Sequence, residues 1–228
     1  MNLRYLGDSY DIVKRSLLSW LSIFGEWQAH PMFTCEVSPI EARAFERLIG
    51  VPLLSREVLT RRANRGDYFA LCANAGNLFL DPDVGVSIGR ARSSPAHLFA
   101  TEVVRLSQER SNRLTLVFDQ SFSRGAGDKD YDRKLAFFGE QGLTACYYRS
   151  HASFLLMSPN AAIVERARVH LVESVGLPAQ RIVTHGVSRV GQGWVAEAER
   201  RFEELKAGTA RTIPSEEVFA TLATRHEE

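Results

Sequence analysis

Two short apolar runs in this chain stop on carboxylates. Asn77-Leu78-Phe79-Leu80 is followed by Asp81-Pro82-Asp83-Val84-Gly85, and the run from Arg113 to Phe118 is followed by Asp119-Gln120. In open α/β sheets, acids at the carboxyl end of a strand border the crevice in which ligands bind. A pair of acids there can hold an amine, a water or a divalent ion. If the two strands are adjacent, Asp81, Asp83 and Asp119 can share a Mg²⁺ ion of the kind phosphodiester hydrolysis uses. The same Asp-Pro-Asp-x-Gly also suits a turn, with Pro82 fixing φ and Gly85 taking a positive one. For Asp119 the alternative is a helix cap or turn residue. Asp8, Asp11 and Lys14 join the crevice if the first helix packs beside it, although Asp8 is also explained as that helix's cap.

Basic residues supply a second kind of candidate. Arg61, Arg62 and Arg65 crowd one side of an expected helix, and Arg90 and Arg92 lie in the loop just after the acidic motif. All are placed to contact nucleic-acid phosphates, and a solvated helix face and loop is the competing account. His97, His151 and His185 lack partner spacing and read as polar or half-buried side chains. Cys35, Cys72 and Cys146 are far apart, show no metal spacing and read as reduced core thiols.

The elements that must position these residues follow from periodicity and punctuation. Asp8 or Ser9 caps a helix over 9–25 with Tyr10, Val13, Leu17, Trp20, Leu21 and Phe24 at helical spacing. A short strand over 31–37 leads into Ser38-Pro39-Ile40-Glu41, a cap, a first-turn proline and an early acid, which open a helix to Ile49. A brief strand over 51–55 and a helix over 57–73 come next. The pattern then becomes strand 78–80, helix 95–108, strand 113–118, a turn-rich loop, helix 130–141, and two strands, 143–149 and 153–158, close enough to pair as a hairpin. A helix over 160–175 ends at Gly176 with Pro178 beyond. Alternating strands and helices predict a doubly wound α/β fold with a mostly parallel sheet and an antiparallel hairpin at its C-terminal edge. That domain spans 1–186. Residues 187–193 read as a linker, and 194–228 as a helical tail with helices over 194–207 and 215–223.

Length and composition suit a globular protein: 228 residues, 45% hydrophobic and 24% charged. No stretch is long and apolar enough to cross a bilayer, and the start lacks a secretory apolar block, so a cytoplasmic location with no membrane partner is the expectation. The net charge of +1 conceals an asymmetry, with 5 Lys/Arg against 8 Asp/Glu in residues 191–228 and 23 against 19 before them. The body's mild positive charge permits nucleic-acid contact.

Two resemblances cover different parts of the chain. Over residues 1–186, the strand ending Asp81-Pro82-Asp83, the strand ending Asp119-Gln120 and the final hairpin resemble the second half of a class I S-adenosylmethionine-dependent methyltransferase. The opening Tyr5-Leu6-Gly7-Asp8-Ser9-Tyr10-Asp11-Ile12-Val13-Lys14 is similar to that of the ribosomal-RNA adenine-N6 methyltransferases. Uncharacterised bacterial and phage proteins with a Leu-Gly-Asp opening and a Phe-Leu-Asp-Pro-Asp-x-Gly strand end are also similar. The resemblance implies a methyltransferase-like Rossmann fold, S-adenosylmethionine as cofactor with Glu36, Asp8 and Lys14 as its candidate contacts, and nucleic acid as substrate. It carries over the family's Asp-Pro-Pro-Tyr motif at Asp81 and Pro82, where the acid holds a target amino group. The chain departs from the family at Asp83, at Val84 in place of an aromatic residue, and in having no glycine turn in Cys35-Glu36-Val37-Ser38-Pro39. Over 194–225, Trp194, Glu197, Arg200, Arg201, Leu205, Gly208, Ile213-Pro214, Glu216-Glu217-Val218 and Leu222 resemble the C-terminal part of addiction-module antitoxins. That implies a small toxin-like protein as partner of residues 194–228. The bare alternative is an amphipathic helix that docks on the body.

Overall fold

The computed structural model describes residues 3–89, 94–122 and 128–184 and, in the tail, Arg200, Glu204 and Ala207. The chain divides into two units, Met1–His185 and Gly186–Glu228. Arg90, Arg92, His185, the 187–193 linker and nearly all of the expected tail helices lie outside the described residues. Within the second unit, Arg200 and Glu204 pair one helical turn apart.

The first unit is an α/β fold. Helix α1 (Ser9–Leu21) starts where Asp8 caps it, Oδ1 accepting from Tyr10 N at 2.9 Å and Asp11 N at 3.1 Å. Strand β1 (Trp27–His30) follows, then α2 (Pro39–Ile49), whose Ser38 and Glu41 form a reciprocal capping box. The next elements are α3 (Arg65–Tyr68), β2 (Asn77–Leu80), β3 (Gly85–Ser87), β4 (His97–Phe99), α4 (Ala100–Gln108) and β5 (Thr115–Phe118). The unit finishes with α5 (Asp128–Glu140), β6 (Thr144–Arg149), β7 (Ser153–Ser158), α6 (Ala161–Val169) and β8 (Ile182–Thr184).

Six strands form one mixed sheet in the order β1-β2-β5-β7-β6-β8, and β3 pairs with β4 in a separate parallel ribbon. Strands β1, β2 and β5 pair in parallel, while the β5–β7, β7–β6 and β6–β8 pairings are antiparallel. The expectation of a mostly parallel sheet with a hairpin at its edge is therefore corrected. All six residues of β7 are buried, so it fills an interior slot, and β8 lies outside β6. One apolar core on the first face gathers α1, α2 and α6 around Phe79, Leu116 and Phe118. A second on the other face gathers α4, α5 and the ribbon around Leu80, Val117 and Tyr147.

Three local expectations fail for physical reasons. The strand expected over 31–37 lies earlier, because Trp27 registers with Asn77 and the chain leaves the sheet at Pro31. Met32 then takes a positive φ of 49°. The helix expected over 57–73 is reduced to α3 and a 3-10 stretch, Ala70–Asn74. Leu59 N donates to Phe33 O at 2.7 Å, drawing this segment into extended form, and Asn64 caps only at Gly66. The start of the helix expected over 95–108 is instead β4. Of the cysteines expected in the core, Cys72 and Cys146 are buried, and burial pushes both thiols up to about 12. Cys35 is exposed in the loop after β1.

His30 closes β1 on a demanding environment. It is 1% exposed, edge-on to Tyr68, and its Nδ1 has no partner among the described residues. Burial lowers its pKa from 6.5 to about 4. The folded state thus favours the neutral ring, and the stability His30 contributes is complete above pH 6.5 and lost as pH falls toward 4. We expect a loss of about 3 kcal/mol across that window. Chemical denaturation from pH 7 to 4 checks it, and His30→Gln should flatten the acid limb.

Candidate functional site

Strand parity decides where the acids go. In β2, Leu80 faces the second core and Phe79 the first, so Asp81 emerges on the first face, toward α1. In β5, Val117 faces the second core and Phe118 the first, so Asp119 emerges on the second face, toward α5. Leu80 pairs with Val117, which sets Asp81 beside Phe118 and Asp119 one residue further on. The two carboxylates at adjacent strand ends therefore do not converge, and the shared Mg²⁺ site of Asp81, Asp83 and Asp119 has no geometric basis. No group of three or more His, Cys, Asp or Glu side chains suited to a metal ion occurs among the described residues.

On the first face lies a cleft of about 500 Å³ lined by Tyr5, Asp8, Tyr10, Asp11, Lys14, Asp81, Pro82, Asp83, Phe118 and Gln120. A hollow of about 920 Å³ lies at the opposite, amino ends of the strands around Trp27 and Gly50. The strand-end rule favours the first. At its floor, Lys14 Nζ donates to Asp11 Oδ1 and Asp81 Oδ2, both at 2.9 Å, and sits 4.6 Å from the centre of the Phe118 ring. Asp11 Oδ2 accepts from Gly7 N at 2.9 Å. All three side chains are buried, at 2% exposed for Asp11, 4% for Lys14 and 1% for Asp81. Burial holds the Asp81 carboxyl above the usual carboxylate range, against the opposing pull of Lys14. Lys14 is itself raised, because the attraction of Asp81 and Asp11 outweighs its own burial. Asp83, half-buried, also lines the cleft and accepts from Thr34 Oγ1 at 2.6 Å. Tyr10 packs edge-on against Phe118 and stacks on the exposed His151 ring.

On the second face Asp119 is consumed. Its Oδ1 accepts from Val86 N at 2.9 Å, Ser121 N at 3.1 Å and Ser121 Oγ at 2.6 Å. Its Oδ2 accepts from Lys134 Nζ at 2.6 Å and Tyr147 OH at 2.7 Å. With five donors and no exposure, it fastens the β3–β4 ribbon to the sheet and leaves no lone pair for a catalytic or metal role. The ribbon comes so close that a Cβ on Gly85, at φ 125°, would stand 2.2 Å from Asp119 Oδ1. Asp119 is both a turn residue, accepting from the backbone N–H two residues on, and the centre of a buried polar network.

The basic candidates separate as well. Arg65 forks onto Glu102, Nε to Oε1 at 2.5 Å and Nη2 to Oε2 at 2.7 Å, and donates to His97 O, so it is spent inside the fold. Arg61 is exposed on a turn, off any helix face shared with Arg65. Glu36 is exposed in the loop after β1 and does not line the cleft. The segment after β1 forms no glycine turn. Where the methyltransferase family has a glycine cradle, Pro31, Met32 and Phe33 are packed into the interior, Met32 and Phe33 at 0% exposed.

The aromatic wall of Tyr5, Tyr10 and Phe118 and the amide of Gln120 escaped the sequence reading. Adjacency to Asp119 puts Phe118 on the opposite face from that acid, but only the β2–β5 register places it beside Asp81. The other missed signal is Lys134, a lysine within the buried stripe Tyr131, Leu135, Phe138 of α5.

The body is thus an α/β domain with a six-stranded mixed sheet and an acidic, aromatic-walled cleft at the carboxyl ends of β2 and β5. Residues 186–218 match the Unstab_antitox family of addiction module components, a match that begins one residue before the expected linker and takes in most of the expected tail. No curated protein and no solved structure matches the chain. Among the described residues, no helix is long and apolar enough to cross a membrane.

Proposed function

We propose that this chain is a non-enzymatic binding protein whose C-terminal segment engages a small, toxin-like partner protein, with the α/β body as its scaffold. The observation that carries this reading is the match of residues 186–218 to addiction module components. The charge distribution agrees, since 8 Asp/Glu against 5 Lys/Arg over 191–228 suit a basic partner. The test compares the full chain with a 1–185 truncation. The full chain is expected to purify in stoichiometric complex with a small protein, and the truncation to lose it while keeping the body's circular dichroism and melting temperature. A truncation that keeps the partner, or that unfolds, overturns the reading.

A second reading makes the body methyltransferase-like, acting on or binding nucleic acid through Asp81. It is supported by the position of Asp81-Pro82-Asp83 in the lining of a strand-end cleft and by the antiparallel strand inserted between β5 and β6. The filled turn at Pro31-Met32-Phe33 weighs against the cofactor. Calorimetric titration of S-adenosylmethionine is expected to give no binding heat, and saturable binding would restore this reading to first place.

A further inference from the structure

We draw no further inference here: the strongest candidate, the aromatic-walled cleft at the carboxyl ends of β2 and β5, belongs to the site already described, and its floor is an acidic cluster paired with Lys14 for which no second observation among the described residues points to a ligand.

Discussion

Replacing Asp119 by Asn is expected to destabilise the body by about 3–5 kcal/mol, the cost of stranding a buried charge by removal of its partner. The stranded charge is Lys134, whose side chain is 1% exposed and whose ammonium has Asp119 as its salt-bridge partner at 2.6 Å. The substitution also turns an acceptor into a donor opposite Tyr147 OH and Lys134 Nζ, so two donors would face a third. Lys134→Met should be gentler, at about 2 kcal/mol, because Asp119 would keep Val86 N, Ser121 N, Ser121 Oγ and Tyr147 OH as donors. The double variant should cost less than the sum of the single ones, since residues in one buried network couple. Urea denaturation of the four proteins measures all three quantities. A loss below about 1 kcal/mol for Asp119→Asn would mean that the network does not hold the ribbon to the sheet.

Lys14→Met is the second large effect, again about 3–5 kcal/mol at neutral pH. It leaves Asp11 and Asp81 buried with no ammonium between them. Here the pH dependence carries the diagnosis. Asp81 has a folded pKa raised above 3.8, so its contribution to stability is complete below 3.8 and is lost as pH rises through the folded value. Removing Lys14 takes away the attraction that restrains this shift, so Asp81 rises further and the loss at neutral pH grows. The deficit of the variant relative to the parent should therefore shrink as pH is lowered through the carboxylate range. Lys14 itself is raised above 10.5, so its contribution is intact at neutral pH and lost only as pH climbs through that raised value. A deficit that stays constant from pH 7 to pH 4 would show that packing of the lysine stem, rather than its charge, supports the floor of the cleft.

Much of the body was legible where local signals agree with tertiary placement. The Asp8 cap, the helix start at Ser38-Pro39 and the β6–β7 pairing all rest on residues close in sequence, and each takes the expected form. Legibility failed where a distant partner overrides a local pattern. The segment from Glu57 has helical spacing, but Leu59 is drawn to Phe33 and Arg65 to Glu102, and neither contact is visible in a linear pattern. Strand β8 is only three residues long and is defined by its pairing with β6. The cleft was half legible. The acids at the strand ends could be named, but which carboxylates share a face depends on the β2–β5 register, and a one-residue offset sends Asp119 to the far side.

The outer margin of the sheet at β1 carries one more implication. Ala29 N donates to Pro52 O and Leu54 N donates to Ala29 O, both at 2.9 Å, and Pro52 has no N–H to offer outward. The backbone groups of Ala29 that would template an incoming strand are already engaged by the chain's own 52–54 segment. A protein seeking this body cannot simply extend the sheet at that margin, the commonest route of unwanted self-association and of strand-addition recognition alike. Recruitment at this side of the body is left to side chains.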